Sequence, residues 1–238
     1  MVSCGFGLDN WRNATASAVK SNRTSTSMIV LFGDSDISRW PCTLFPSSPL
    51  ASGSEEVISF GKSGAYLKDV LQQIDEWRKH QRNDGDDNCL FVCCAGENDI
   101  GSGRSIDQVV ETFGCILNEL FPQHEQTSLH ARSNMIFFGP KFEPWLKNDN
   151  TSRKQYAKLN SALRRAVRKH SACVRIRYID CLTLFCTKET VNVPGAVFGG
   201  MAIPDSDYFD NDGLHLNDIG YGVWKQTVED NIAELKGT

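Results

Sequence analysis

The chain has 238 residues, of which 40% are hydrophobic and 23% are charged. This is a globular composition, which excludes a wholly disordered, collagen-like or coiled-coil chain. Basic residues number 25 and acidic residues 29, so the net charge is −4 and no overall positive field draws the chain to nucleic acid. The longest apolar runs, Met28–Phe32 and Cys89–Ala95, are far shorter than the roughly 18 residues of a membrane-spanning helix. We therefore expect no nucleic-acid partner and no integral membrane segment.

The first 27 residues differ in composition from the rest, because they are rich in Ser, Thr, Asn and Ala and poor in acidic residues. We expect a flexible tail over residues 1–27, with an organellar transit segment as the alternative, and a single domain over 28–238. The nine cysteines are an odd count and form no C-x-x-C pair, which favours a reducing compartment. A cytoplasmic location is therefore expected, or an organelle if the first segment is a targeting peptide.

From Met28 onwards, short apolar runs alternate with helical periodicity. Five runs predict buried strands, at Met28–Gly33, Val57–Gly61, Cys89–Ala95, Asn134–Gly139 and Cys173–Asp180. Apolar residues spaced three or four apart predict helices around 67–77, 106–120, 156–167 and 223–235. This alternation predicts an α/β fold, a parallel sheet with helices on both faces.

Two segments fit neither pattern, residues 40–54 and 182–209. Connections of this length are often lids or binding loops. We expect these two segments to determine the depth of any pocket.

Residues that can act in catalysis follow the predicted strands, at the edge where ligands bind in open parallel sheets. Strand one leads to Asp34-Ser35, strand two to Gly64 and strand three to Asn98, and Asp212 and His215 follow the long segment after strand five. A serine hydroxyl is a weak nucleophile until a base takes its proton, and histidine does this near neutral pH. Asp212, three residues before His215, can orient the imidazole. Backbone N–H groups of Ser35 and Gly64 and the amide of Asn98 are candidate oxyanion donors.

The four blocks are Gly33-Asp34-Ser35, Gly64, Gly96-Glu97-Asn98-Asp99 and Asp212-Gly213-Leu214-His215. In this order they resemble the SGNH hydrolases, also called the GDSL esterase/lipase superfamily, and in particular small microbial-type members. The resemblance extends from about Met28 to Leu235. It departs at Asp36, where the eponymous motif has leucine, and at Phe60-Gly61, where the family often has asparagine.

The resemblance implies a flavodoxin-like three-layer α/β/α fold with a five-stranded parallel sheet in the order 2-1-3-4-5. It also implies Ser35 as nucleophile, His215 as base and Asp212 as the residue that orients it. The oxyanion hole it implies consists of Ser35, Gly64 and Asn98, and it implies no metal or organic cofactor.

Two further residues are assigned to substrate binding, each with an alternative. The alternative for Asp34 is to order the turn around Ser35, and the alternative for Trp145, which follows strand four, is a place in the core. Glu97 and Asp99 are interpreted as loop and cap residues. The aspartates from Asp205 to Asp212 lack the glycine and final glutamate of a calcium loop, so we expect no metal site.

The sequence thus predicts a serine hydrolase that cleaves carboxylic esters, with short acyl or acetyl groups, through an acyl-enzyme. The substrate is a small-molecule, carbohydrate or lipid ester. Two alternatives stay open: an acyltransferase that uses the same Ser-His-Asp site, and an inactive binding module on this fold.

Overall fold

The computed structural model describes residues 28–46, 56–80, 89–122, 133–170, 172, 175–191 and 201–236. Residues 1–27, interpreted above as a tail or transit segment, lie outside these ranges. So do parts of both long segments, residues 47–54 and 192–200.

Five parallel strands form the central sheet. They are β1 (Met28–Gly33), β2 (Glu56–Ser59), β3 (Cys89–Cys94), β4 (Asn134–Phe138) and β5 (Ile176–Ile179). Their order is β2-β1-β3-β4-β5, which confirms the predicted topology. The chain reverses its direction of travel across the sheet at β1, and a ligand crevice is expected between β1 and β3 at this switch point.

Alternate residues of each strand enter two separate hydrophobic cores. Val30 and Phe32 face α2 (Leu67–His80), α4 (Ile106–Leu120) and α5 (Asn150–Lys169). Ile29 and Leu31 face α1 (Ser35–Arg39) and α6 (Asp218–Lys236) on the opposite side. Side chains on a strand point alternately to the two faces, so strands buried on both sides read as continuous apolar runs. The three-layer α/β/α fold is confirmed.

The predicted boundaries differ from the observed ones in several places. β2 ends at Ser59, β5 begins at Ile176, and the short helix α3 (Glu97–Gly101) had no periodicity long enough to predict. Within the second long segment, β6 (Cys186–Val191) and β7 (Met201–Pro204) form an antiparallel pair. The sequence of β6, CTKETV, lacks the apolar run or alternation that would have indicated a strand. In the part of the chain described, no helix is long and apolar enough to cross a membrane.

The turn after β1 depends on Gly33, which has a φ of 153°. The side-chain amide of Gln73 binds this residue twice, because it accepts from the Gly33 N–H at 2.8 Å and donates to the Gly33 carbonyl at 2.8 Å. The same carbonyl accepts from the Lys62 N–H at 3.0 Å. A Cβ at position 33 would lie 2.1 Å from the Cys94 carbonyl oxygen, so β1 and β3 approach each other here too closely for any side chain.

Gly33→Ala is expected to lower the free energy of unfolding by about 3 kcal/mol, at the upper end of the cost of overpacking. The added methyl would displace the end of β3, whose Cys94 is the register partner of Gly33. Urea unfolding of both proteins measures the difference.

Gly114→Ala is the matched control, because nothing lies within 4 Å of a Cβ at this position in α4. It should leave stability unchanged or raise it by about 0.5–1 kcal/mol, as is usual for Gly to Ala in a helix. Equal stability of Gly33→Ala and the wild-type protein would contradict the close approach described here.

Candidate active site

A pocket of about 530 Å³ opens at the carboxyl ends of the strands. The residues predicted from sequence all line it: Asp34, Ser35, Gly64, Asn98, Trp145, Asp212 and His215. The other lining residues are Asp36, Tyr66, Glu97, Gly101, Ser102, Lys141, Glu143, Tyr156 and Leu214. None of the described residues of 40–54 or 182–209 lines the pocket. The wall described here is therefore made by the turns after β1 to β4, by the loop before α6 and by Tyr156 of α5.

Ser35 is the first residue of α1, at the end of the turn that Gly33 begins. Asp34 caps this helix, since its Oδ1 accepts from the Asp36 N–H at 3.1 Å and its carbonyl accepts from the Ser38 N–H at 2.9 Å. Ile37 anchors the helix in the core shared with α6. The hydroxyl of Tyr221 donates to the Asp36 carbonyl at 2.9 Å, which ties the turn to α6. The backbone at Ser35 is thus held from both sides.

Asp212 and His215 form a closed turn. Oδ1 of Asp212 accepts from the backbone N–H groups of Leu214 at 2.9 Å and His215 at 3.0 Å. Oδ2 lies 2.6 Å from Nδ1 of His215, and because a carboxylate only accepts, the ring nitrogen is the donor. Gly213 between them has a φ of 65°, in the left-handed region that favours glycine. Nδ1 is therefore occupied by Asp212, and Nε2 is the nitrogen of His215 that remains for a second partner in the pocket.

The charge on Asp212 is stabilised by its neighbours. Against the opposing effect of burial, the hydrogen bonds from the His215 side chain and from the backbone of His215 and Leu214 hold the pKa of Asp212 well below its usual range. Nη1 of Arg39 lies 3.6 Å from Oδ2 of the same carboxylate. Asp212 is therefore ionised at neutral pH, as a partner for an imidazole that gains a proton.

Asn98 links the second and third blocks. Its Nδ2 donates to the Ala65 carbonyl at 3.0 Å. An amide nitrogen carries two N–H donors, so this bond orients the side chain and leaves one donor. Gly64, next to Ala65, has a φ of 72° and no atom within 4 Å of where a Cβ would lie. Its backbone is therefore open on that side.

Trp145 lies at the mouth of the pocket and is 51% exposed, so it does not belong to the core. Its Nε1 donates to Glu143, and its backbone N–H donates to the Gly213 carbonyl at 3.5 Å. Leu214, also exposed, lines the same pocket. The loop after β4 thus contacts the loop that carries His215.

Sequence reasoning missed a buried charged cluster in the pocket wall. Lys141 and Glu143 were not singled out, and Glu97 was interpreted only as a loop residue, yet all three line the pocket. Lys141 and Glu143 are buried, and Lys141 contacts both Glu97 and Glu143. The available signal was their position, because charged residues directly after a buried strand lie at the ligand-binding edge of the sheet.

The adjacent cysteines of β3 are poor alternative nucleophiles. Cys93 and Cys94 are buried, and burial raises the pKa of both thiols, so neither forms a thiolate readily. Elsewhere in the described chain Cys42 is disulfide-bonded, which does not fit the reducing compartment that the cysteine pattern favoured. The cytoplasmic location stays a prediction.

A family model described as GDSL-like lipase/acylhydrolase matches residues 29–226. No curated protein matches the chain in sequence. Several solved structures share its fold.

The lipase/acylhydrolase from Enterococcus faecalis is 15% identical, with a TM-score of 0.57, and the match covers 87% of this chain and 95% of that one. A member of the lipolytic G-D-S-L family from Veillonella parvula is 18% identical, with a TM-score of 0.54 and coverage of 86% and 97%. A carbohydrate esterase family 3 protein from Talaromyces cellulolyticus is 16% identical, with a TM-score of 0.57 and coverage of 90% and 100%. At these identities the likeness shows a common fold.

Proposed function

The chain belongs to the GDSL-like lipase/acylhydrolase family and is an ester hydrolase of this type, and from that premise we propose that Ser35, His215 and Asp212 form its catalytic triad. The observation that carries the proposal is the Asp212–His215 pair, with 2.6 Å between Oδ2 and Nδ1, in the same pocket as Ser35. An aspartate held ionised on one side of an imidazole favours a proton arriving on the other side.

The reaction proceeds in two steps. His215 takes the proton of the Ser35 hydroxyl as the oxygen attacks the ester carbonyl, and a tetrahedral intermediate forms. It collapses when the protonated imidazole gives its proton to the departing alcohol, which leaves an acyl group on Ser35. Water then attacks the acyl-enzyme with His215 again as base, and the carboxylic acid is released.

The negative charge on the tetrahedral oxygen needs hydrogen-bond donors. We assign this role to the backbone N–H groups of Ser35 and Gly64 and to the amide of Asn98. The bond from Asn98 to the Ala65 carbonyl supports the assignment, because it aligns the side chain before substrate arrives. Donors aligned in advance stabilise the transition state without reorganisation.

The contacts of Asp34 distinguish between its two predicted roles, which are substrate binding and ordering of the turn around Ser35. Burial raises its pKa well above the usual value, and the charges of Asp36 and Glu97 raise it further. Its oxygen is engaged by the Asp36 N–H. These contacts favour a role in shaping the turn that presents Ser35 over direct contact with substrate.

Substrate preference follows from the character of the pocket wall. Ten of the sixteen residues that line it carry a carboxylate, a hydroxyl or an ammonium group, although more of the lining surface is apolar than polar. Its exposed large apolar side chains are Trp145 and Leu214. A long acyl chain gains about 0.8 kcal/mol for each methylene only where apolar surface receives it. Two large apolar side chains offer surface for a short acyl group, which supports a short-acyl preference with Trp145 and Leu214 in contact with the apolar part of the ester.

Ser35→Ala is expected to lower kcat for p-nitrophenyl acetate by about 10⁴-fold or more, because the attacking atom is removed. Ser38→Ala, in the same helix but outside the pocket wall, is the matched control and should retain wild-type activity. Thermal unfolding of both variants establishes that they are folded. Undiminished turnover by Ser35→Ala would disprove the triad.

Asn98→Ala should lower kcat by about 10²–10³-fold with a much smaller change in KM, the usual result of losing one oxyanion donor. Steady-state kinetics with p-nitrophenyl acetate measures the split. Asn231→Ala in α6 loses a comparable bond, from Nδ2 to the Thr227 carbonyl at 2.8 Å, and serves as the control. Equal kcat values for the two variants would remove Asn98 from the oxyanion hole.

A series of p-nitrophenyl esters from C2 to C16 tests the acyl preference. We expect kcat/KM for C2 or C4 to exceed that for C12 by about tenfold or more, which corresponds to about 1.4 kcal/mol in the transition state. Assays below the micelle-forming concentration of the long esters keep the comparison fair. A maximum at C12 or longer would contradict the short-acyl preference.

A further inference from the structure

The ammonium group of Lys141 is enclosed in the wall of the pocket. The residue is 1% exposed, and its Nζ lies 2.6 Å from Oδ2 of Asp36, 2.9 Å from Oε2 of Glu97 and 2.9 Å from Oε1 of Glu143. Burying a charge is costly unless it is paired and hydrogen-bonded. Burial alone lowers the pKa of Lys141, but the three carboxylates outweigh it and raise this pKa well above its usual value. The group is therefore a permanent buried cation.

Each carboxylate belongs to a different part of the proposed active site. Asp36 follows Ser35 in α1, and Glu97 precedes Asn98 in α3. Glu143 accepts the indole N–H of Trp145. The backbone N–H of Lys141 also donates to Oε1 of Glu97 at 2.7 Å, so Glu97 is held by two donors from one residue. A single ammonium thus joins the segments that carry the nucleophile, the oxyanion donor and the pocket mouth.

The cluster holds more acidic groups than cations. Asp34 lies next to it, and burial raises the pKa of both Asp34 and Glu143. Potential metal-ligand atoms of Asp34, Asp36 and Cys94 lie within 4.8 Å of one another. The Lys141 ammonium pairs with Asp36, one of these three residues.

We propose that Lys141 is a positioning residue for the reaction at Ser35, whose ammonium sets the separation between the nucleophile turn and Asn98 and orients Trp145 through Glu143. This inference rests on the proposed function. Packing in the two cores fixes the strands, but Ser35 and Asn98 lie beyond the strand ends, in short helices of five residues each. A displacement of 1 Å at reacting groups is enough to lower a rate by about 10²-fold.

Lys141→Ala tests the proposal together with rescue by n-propylammonium, which replaces the three carbons and the nitrogen removed. Because Lys141 lines the pocket, the space left by the truncation is expected to open to it. We expect kcat for p-nitrophenyl acetate to fall by about 10²-fold with a smaller change in KM. Millimolar n-propylammonium should raise the kcat of Lys141→Ala at least tenfold, with saturation as its concentration increases. The same concentrations of 1-propanol should leave this kcat unchanged.

Two controls separate positioning from general destabilisation. Arg175→Ala removes a different cation, partly buried and outside the pocket wall, whose guanidinium lies over the Phe121 ring at 5.0 Å. It should keep kcat within about threefold of wild type and show no response to the amine. The wild-type enzyme with n-propylammonium shows whether the amine itself accelerates release of p-nitrophenol.

Each outcome decides the proposal. Wild-type kcat in Lys141→Ala, or a loss of kcat that 1-propanol restores equally well, would overturn it. If Lys141→Ala does not fold, Lys141→Met, which keeps the side-chain volume, replaces it. Folded Lys141→Met with wild-type kcat, or failure of both variants to fold, would show a purely structural residue.

The failure of this inference is distinguishable from the failure of the proposed function. If the wild-type protein shows no hydrolysis that depends on Ser35, both are wrong. If Ser35→Ala abolishes turnover while Lys141→Ala does not affect it, only the positioning role is lost.

Discussion

The approach of β1 to β3 at Gly33 is the constraint on which the arrangement of the pocket depends. A side chain at this position would meet the Cys94 carbonyl, and only a glycine lets the two strands end side by side. The residues that follow these two strands are Asp34-Ser35 after β1 and Ala95-Gly96-Glu97-Asn98 after β3. Their proximity is therefore a direct result of strand register, which pairs Gly33 with Cys94. Gln73 completes this junction with two hydrogen bonds from α2.

Beyond the strand ends, polar contacts replace hydrophobic packing as the means of fixing positions. Asn98 bonds to the Ala65 carbonyl, Tyr221 to the Asp36 carbonyl, and Trp145 to Glu143. Backbone in such turns has no sheet partner, and buried polar groups must find partners in side chains. The Lys141 cluster belongs to this layer, and its charges are buried because the turns close over them. Directional bonds suit this layer, because they define angles as well as distances.

The chemistry proposed for the pocket combines two environments that differ in solvent access. Asp212 is exposed, and its hydrogen bonds hold its pKa low enough for the carboxylate to stay ionised. Burial instead raises the pKa of Asp34 and Glu143. The pKa values of carboxyl groups within one pocket wall are thereby moved in opposite directions, down for Asp212 by hydrogen bonds and up for Asp34 and Glu143 by burial.

The sequence by itself determined the alternation of strands and helices, the burial of the sheet on both faces and the residues at the strand ends, whereas the strand order was what the family resemblance implied. Apolar runs such as Cys89–Cys94 and the spacing of Asp212 and His215 are local, so one-dimensional order is sufficient to read them. Only the tertiary structure decided that Lys141 meets Asp36, 105 positions away, and that Trp145 lies at the pocket mouth instead of in the core. A lone charged or aromatic residue has no periodicity, and its partners are chosen by how distant turns pack together. The same reason explains the β6–β7 pair, whose stability comes from a partner strand and not from its own pattern.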